Sequence, residues 1–315
     1  MRIASIYING TRRFGRVEGA TFTPIVHGQD PLDLLTAGAA GALEWGEPVP
    51  FDPNGVLEPP LPVTTIRDFI TFEQHTAGSL RAVTGSTEVP EAWFEAPTFY
   101  FTNPHAAVGS GQEVIVPPGC EVYDFELEVA AVIGADGFNL TVEEAWDHIA
   151  GFTILNDWSA RDLQQREMRV GLGPVKGKDT ATTLGPTVVT TEELAGHFSD
   201  GHYDLQMQVF VNGQLIGGDS LANVAWTFAE LVAYASRGTW VRRGDVLGSG
   251  TSGGGCLAEF WGWNGAHDPA PIAAGDTVTM TVQGLGTISN RIVAGPPLQH
   301  VPRARHVEWT RPLRE

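Results

Sequence analysis

Positive charge is scarce in this chain. Nineteen lysines and arginines stand against 37 aspartates and glutamates in 315 residues, a formal net charge of −18. Such a surface is a poor partner for nucleic acid or an anionic membrane. It does not bar an anionic substrate, because a divalent cation and a few basic side chains dominate locally. Cysteine is scarcer still, with only Cys120 and Cys256. Neither belongs to a CxxC pair, so both are expected as free thiols without a catalytic role, in a reducing compartment. No apolar run approaches the length of a membrane span, and the opening Met-Arg-Ile-Ala-Ser lacks the apolar core of a signal peptide. The expected location is the cytoplasm. The glycine-rich stretch 246–255 lacks the Gly-Lys-Ser/Thr of a phosphate loop, and no internal repeat is present. What remains is a chain with 42% hydrophobic residues, enough for one large or two smaller packed domains.

The chain is organised around residues 123–178. Phe125, Leu127 and Val129 alternate with Glu126, Glu128 and Ala130, the period of a strand. Glu126 and Glu128 therefore share a face, about 7 Å apart. Two ionised carboxylates beside the apolar run 129–133 are costly unless something cationic lies between them. Oxygen-only ligands point to a hard ion, Mg²⁺, Mn²⁺ or Ca²⁺. The plainer alternative is the wet face of a half-exposed strand. A second apolar strand, 152–155, ends at Asn156-Asp157, where a third carboxylate meets the first two.

These residues carry a resemblance. Glu126-x-Glu128, the string Asn156-Asp157-Trp-Ser-Ala-Arg161-Asp-Leu-Gln164 and then Lys178 resemble the fumarylacetoacetate hydrolase family. Arg67-Asp68-Phe69 before Gln74-His75, Ser249-Gly250-Thr251, and Cys256-Leu-Ala-Glu259 extend the likeness over residues 61–293. The resemblance implies a mostly β, α+β fold, a mixed sheet rolled into a sandwich, preceded by a small N-terminal β-rich cap. It implies a cation held by Asp68, Glu126, Glu128 and Asp157, with Lys178 and Thr182 beside it. It makes His75 a general base oriented by Glu259, gives Arg161, Gln164 and Lys178 the developing oxyanion, and gives Gly250 and Thr251 a substrate carboxylate. It also implies a homodimer. The activity implied is hydrolysis of a carbon–carbon bond in a 1,3-diketo acid or acylpyruvate. Water activated by His75 attacks the remote carbonyl, and the carbanion leaves as an enolate held by the cation. A decarboxylase or isomerase of the family would use the same cation and a chelated 2-keto acid without needing the His75–Glu259 pair. A non-catalytic Ca²⁺-binding β protein, or a bare metabolite-binding module, would leave His75, Lys178 and Glu259 without work. Where the animal hydrolase of the family has tyrosines, this chain has Ile70 and Met168, so contacts to a far carboxylate differ.

The rest of the chain divides at residue 60. Residues 1–60 form a small N-terminal domain with a linker holding six prolines between residues 47 and 62, and residues 61–315 form the catalytic domain. Asn9-Gly10 and Asn212-Gly213 signal two-residue hairpin turns. Residues 30–45 read as a short helix. Thr71 and Gln74 have capping-box spacing, which starts a helix near Thr71 with His75 in its first turns. Thr141/Glu144 and Ser159/Asp162 repeat that spacing, the second pair starting a helix just after Asp157. Residues 221–238 show helical periodicity closed by Gly238. Residues 257–263, 277–282 and 286–293 read as strands. The tail 296–315, with Arg303, Arg305, Arg311 and Arg314, is assigned to a surface or subunit contact.

Overall fold

Both Asn-Gly pairs close tight hairpins. Asn9 and Gly10 take φ of 50° and 75°, Asn212 and Gly213 φ of 52° and 79°, the left-handed pair that matches strand twist. The computed structural model describes residues 1–36 and 39–307. In chain order its N-terminal half has β1 (Arg2–Ile8), β2 (Thr11–Glu18), β3 (Thr21–Pro24), β4 (Ile66–Phe69), α1 (Glu73–Thr84), β5 (Phe99–Thr102), β6 (Leu127–Ile133) and β7 (Ile149–Asp157). Then come α2 (Arg161–Met168), β8 (Thr182–Thr190), β9 (Gln206–Val211), β10 (Gln214–Ser220), α3 (Phe228–Ser236), β11 (Val246–Gly248), α4 (Leu257–Asn264), β12 (Thr277–Val282) and β13 (Gly286–Val293), with shorter pieces between.

The large mixed sheet runs β3-β2-β1-β8-β7-β6-β11-β4-β5, extended beyond β3 by the two-residue strand Val49–Pro50. The β11–β4 pair is parallel, as is the short strand Ala107–Val108 against β8. A second sheet orders β10-β9-β12-β13 and ends on Val114–Ile115. The expected mostly β, α+β class is what the molecule has. β1 pairs with β8 through Arg2↔Val189 and Ile3↔Val188, so the N-terminal strands continue the main sheet. Phe51 and Leu57 of the proline-rich stretch pack on Ala4, Val17 and Phe22.

β6 is buried on both faces. Leu127, Val129, Ala131 and Ile133 join the main core with Met207, Val209, Val278 and Met280 of the second sheet. Ala130 and Val132 point the other way, into a core shared with Ile3, Ile66, Leu155 and Leu184. A continuous apolar run is what a strand covered on both sides requires.

Several expectations need correction. Residues 257–263 are helical, not a strand: the Asp124 carboxylate takes the Leu257 and Ala258 N–H groups at 2.8 and 3.0 Å, satisfying the first donors of α4. Residues 30–45 form two single 3₁₀ turns, Pro31–Leu35 and Ala39–Ala42, the first capped by Asp30. Thr71 does not cap α1, since its hydroxyl donates to the Ser249 carbonyl at 2.5 Å and the helix begins at Glu73. Ser159 likewise donates to the Asp157 carbonyl, and α2 begins at Arg161. The Thr141/Glu144 box forms as expected. Of residues 221–238 only Phe228–Ser236 is α-helical, and Gly238 stands beyond its end at φ 64°. The tail 296–307 is exposed and without regular structure, and Arg311 and Arg314 lie outside the described residues. Among the described residues no helix is long and apolar enough to cross a membrane.

Candidate active site

The face of the main sheet that carries Ile66, Ala130, Leu155 and Leu184 becomes acidic at one end. Continuing each strand by its period of two leads from Ile66 to Asp68, from Ala130 back to Glu128 and Glu126, from Leu155 to Asp157, and from Leu184 back to Thr182. The ladder sets them side by side: Asp157 faces Thr182, Leu127 faces Asn156, and Gly248 lies between Ala130 and Asp68. Gly248 is needed there, because a Cβ would stand 2.5 Å from Asp68 Oδ1 and 2.9 Å from Glu128 Oε2. Asp68, Glu126, Glu128 and Asp157 each bring a carboxylate oxygen within 4.8 Å of the others. All four are at most 5% exposed. That removes the wet-face alternative for Glu126 and Glu128.

The cluster is short of positive charge. Lys178 Nζ donates to Glu126 Oε2 and Asp157 Oδ2, both at 2.5 Å. Arg161 Nη2 lies 2.7 Å from Glu126 Oε1 and from Asp124 Oδ2, and its Nη1 donates to Gln164 Oε1 at 3.1 Å. Glu126 is held below the usual carboxylate range: burial pushes it up, and Lys178 with Arg161 outweighs burial. Asp68 and Glu128 lack that company. Burial pushes both well up, Asp157 adding to the effect on Asp68 and Asp68 to that on Glu128. Burial raises Asp157 too, with Lys178 opposing it. Lys178 is raised despite burial by Asp157 and Glu126. Three buried oxygens, Asp68 Oδ1, Glu128 Oε1 and Asp157 Oδ1, have no hydrogen-bond partner among the described residues, and neither has Thr182 Oγ1. Orphaned carboxylate oxygens in one all-oxygen cluster fit a hard divalent cation.

The second half of the site stands on helices. α1 and α4 cross where Gly78 faces Gly262: a Cβ on Gly262 would strike the Gly78 carbonyl, and one on Gly78 would strike the Glu259 side chain. That approach brings His75 Nδ1 to 3.8 Å from Glu259 Oε2, both side chains buried. Glu259 is anchored by Gln74 Nε2 at 3.1 Å and the Gly254 N–H at 2.7 Å. Burial pushes its carboxyl up, and the nearby His75 ring together with the Gln74 hydrogen bond brings it below the ordinary value. The glycine-rich loop is pinned elsewhere by Glu128, which accepts the Gly250 N–H at 3.1 Å, and by Asp219, which accepts that of Gly253 at 2.7 Å. Gly250 therefore already spends its donor on Glu128. Thr251 is buried nearby, without a hydrogen bond to the cluster among the described residues.

A family model for the C-terminal region of fumarylacetoacetate hydrolase matches residues 64–293. This chain belongs to the fumarylacetoacetate hydrolase family. Within the family it is 33% identical over 201 residues to the oxaloacetate tautomerase YisK of Bacillus subtilis, covering 63% of this chain and 62% of that one. It is 32% identical over 268 residues to the fumarylacetoacetase of Arabidopsis thaliana, covering 65% of this chain and 63% of that one. The chain thus spans less than two thirds of the length of these two relatives. A solved structure of 5-carboxymethyl-2-hydroxymuconate delta-isomerase from Mycobacterium smegmatis superposes with a TM-score of 0.70 at 23% identity, over 94% of this chain and all of that one. That likeness concerns the fold.

Three residues of the site have no role in the sequence reading. Asp124 joins Arg161 to the start of α4. Its signal is present, since Asp124-Phe-Glu126-Leu-Glu128 alternates three acids. Tyr100 donates its hydroxyl to Asp157 Oδ2 at 2.6 Å, placed by the Asp68↔Tyr100 pairing of β4 and β5; Phe-Tyr-Phe in an apolar strand gives no hint of it. Glu167 accepts the N–H groups of Val175, Lys176 and Gly177 at 3.0, 2.9 and 3.1 Å, tying down the loop that delivers Lys178. Both cysteines are free, as expected. Burial and Asp162 push the Cys120 thiol up to about 12, and burial and Asp124 push Cys256 up as well.

Proposed function

We propose that this protein is a divalent-cation-dependent hydrolase that cleaves a carbon–carbon bond of a 1,3-diketo acid or acylpyruvate. The observation that carries the reading is the buried His75–Glu259 pair at the edge of the carboxylate cluster. Asp68, Glu126, Glu128 and Asp157 would hold Mg²⁺ or Mn²⁺, with Ca²⁺ as the other hard candidate. Such an ion supplies Lewis acidity and a template for two substrate oxygens. His75 takes a proton from water, and Glu259 holds the ring and stabilises the imidazolium. Arg161 fixes the Gln164 amide through its oxygen, which leaves the Gln164 NH₂ as a donor for the oxyanion. Lys178 uses two of its three N–H bonds on Glu126 and Asp157 and keeps the third. The Thr251 hydroxyl is the donor left for a substrate carboxylate. The protein acts as a cytoplasmic homodimer in this reading.

A second reading has support in the 33% identity to an oxaloacetate tautomerase. There the same acids and His75 move a proton between carbon and oxygen of a 2-keto acid, and no bond to carbon is cut. A decarboxylase would release CO₂ from the same kind of substrate. The test is a panel of acylpyruvates and 2-keto acids with Mg²⁺ or Mn²⁺ and full product analysis. Two carboxylic acids formed by the native protein, and not by His75→Ala, support hydrolysis. Enol–keto exchange or CO₂ without cleavage overturns it.

A further inference from the structure

We propose that His75, Cys256 and Glu126 form a second, softer cation site, at which zinc or a similarly thiophilic divalent ion binds and inhibits. The three side chains are buried, and each offers one ligand atom within 4.8 Å of the others. The donor set is nitrogen, sulfur and oxygen, which suits zinc and not magnesium. The spacing suits it too. With Zn–S about 2.3 Å and Zn–N about 2.1 Å, two ligands of a tetrahedral zinc stand about 3.6 Å apart. Cys256 Sγ lies 3.7 Å from His75 Nδ1.

The imidazole can be prepared for this ion. Ser79 Oγ lies 3.3 Å from His75 Nε2. With the proton on Nε2, donated to Ser79, the Nδ1 lone pair faces Cys256, and a partner of this kind orients a metal-bound imidazole. The catalytic arrangement needs the other tautomer, with the Nδ1 proton toward Glu259. The two uses of His75 exclude each other. Glu126 belongs to both clusters, and it reaches the soft ion by releasing a contact with Arg161 or Lys178. Binding expels the thiol proton to solvent and forms a sulfur–metal bond. One zinc ion thus withdraws the base and a ligand of the hard cation together.

The experiment uses the full chain saturated with Mg²⁺. Cd²⁺ and Co²⁺ titrations followed by absorbance should produce a thiolate-to-metal charge-transfer band at one equivalent. The band should vanish in Cys256→Ser and in Cys256→Ala. Zn²⁺ should inhibit turnover, with the half-inhibiting concentration rising about 10-fold or more in both variants, each judged against its own uninhibited rate. Metal bound by the native protein without a thiolate band overturns the site. Equal zinc sensitivity in native protein and both variants overturns it too, placing zinc among the four carboxylates. The inhibition arm rests on the roles proposed for His75 and Glu126. The absorbance arm depends on no assignment of the reaction.

Discussion

The two halves of the site are built on different scaffolds. Asp68, Glu128 and Asp157 sit on strands of one sheet whose backbone bonds fix their spacing, and Glu126 stands one residue before β6 with its N–H on the Asn156 side chain. His75 and Glu259 sit on α1 and α4, which hold each other through a close contact at Gly78 and Gly262. A ladder leaves a carboxylate little freedom, whereas two packed helices can slide by fractions of an ångström and alter a 3.8 Å approach. Cation binding should therefore be robust to changes in the helices, and turnover should not be.

The separation can be broken most directly on the strand side. Glu126→Gln and Asp157→Asn each remove an anionic ligand, and a direct ligand should cost more than the 10–100-fold typical of an outer partner. Calorimetric titration with Mn²⁺ should record that loss, and activity should disappear with it; unchanged titrations in both variants would refute the cluster as a cation site. On the helix side, His75→Ala should lower kcat by about 10²–10⁴ while the Mn²⁺ titration superimposes on the native one. Glu259→Gln should cost less, since the base remains but is poorly held. A change in KM rather than kcat would reassign His75 to substrate binding. Gly78→Ala forces a methyl group against Glu259 and should destabilise by about 1–3 kcal/mol, seen in thermal unfolding, with kcat falling and cation affinity kept. The smallest effect should come from Tyr100→Phe, which leaves Asp157 Oδ2 with Lys178 alone and should weaken Mn²⁺ binding about 10-fold. If it alters kcat without touching affinity, Tyr100 belongs to the helix half.

The same division governs what is legible in the sequence. Acids at a spacing of two announce a strand face, so Glu126 and Glu128 pair from their spacing, and the apolar run that ends at Asp157 offers a third carboxylate; that the face is buried and not wet is decided by the structure. Family resemblance adds Asp68. The helix carrying Glu259 reads as a strand because Leu257, Glu259 and Trp261 alternate like one. Its helical state depends on Asp124, 133 residues earlier in the chain, which satisfies its first N–H groups. Capping-box spacing succeeds at Thr141, where the hydroxyl is free to turn back, and fails at Thr71 and Ser159, whose hydroxyls are committed to the Ser249 and Asp157 carbonyls. Contacts of that kind join distant segments and leave no local pattern.

The pinned glycine loop gives the molecule built-in reporters. Gly250 gives its N–H to Glu128 in the strand half, and Gly254 gives its own to Glu259 in the helix half. Glycine amide nitrogens resonate apart from those of other residues, and each of these two protons rests on a carboxylate of one half only. In a nitrogen-15 spectrum, filling of the cation site would register at Gly250 and movement of the helix pair at Gly254. Two peaks would then follow the two halves in one sample, with no probe attached.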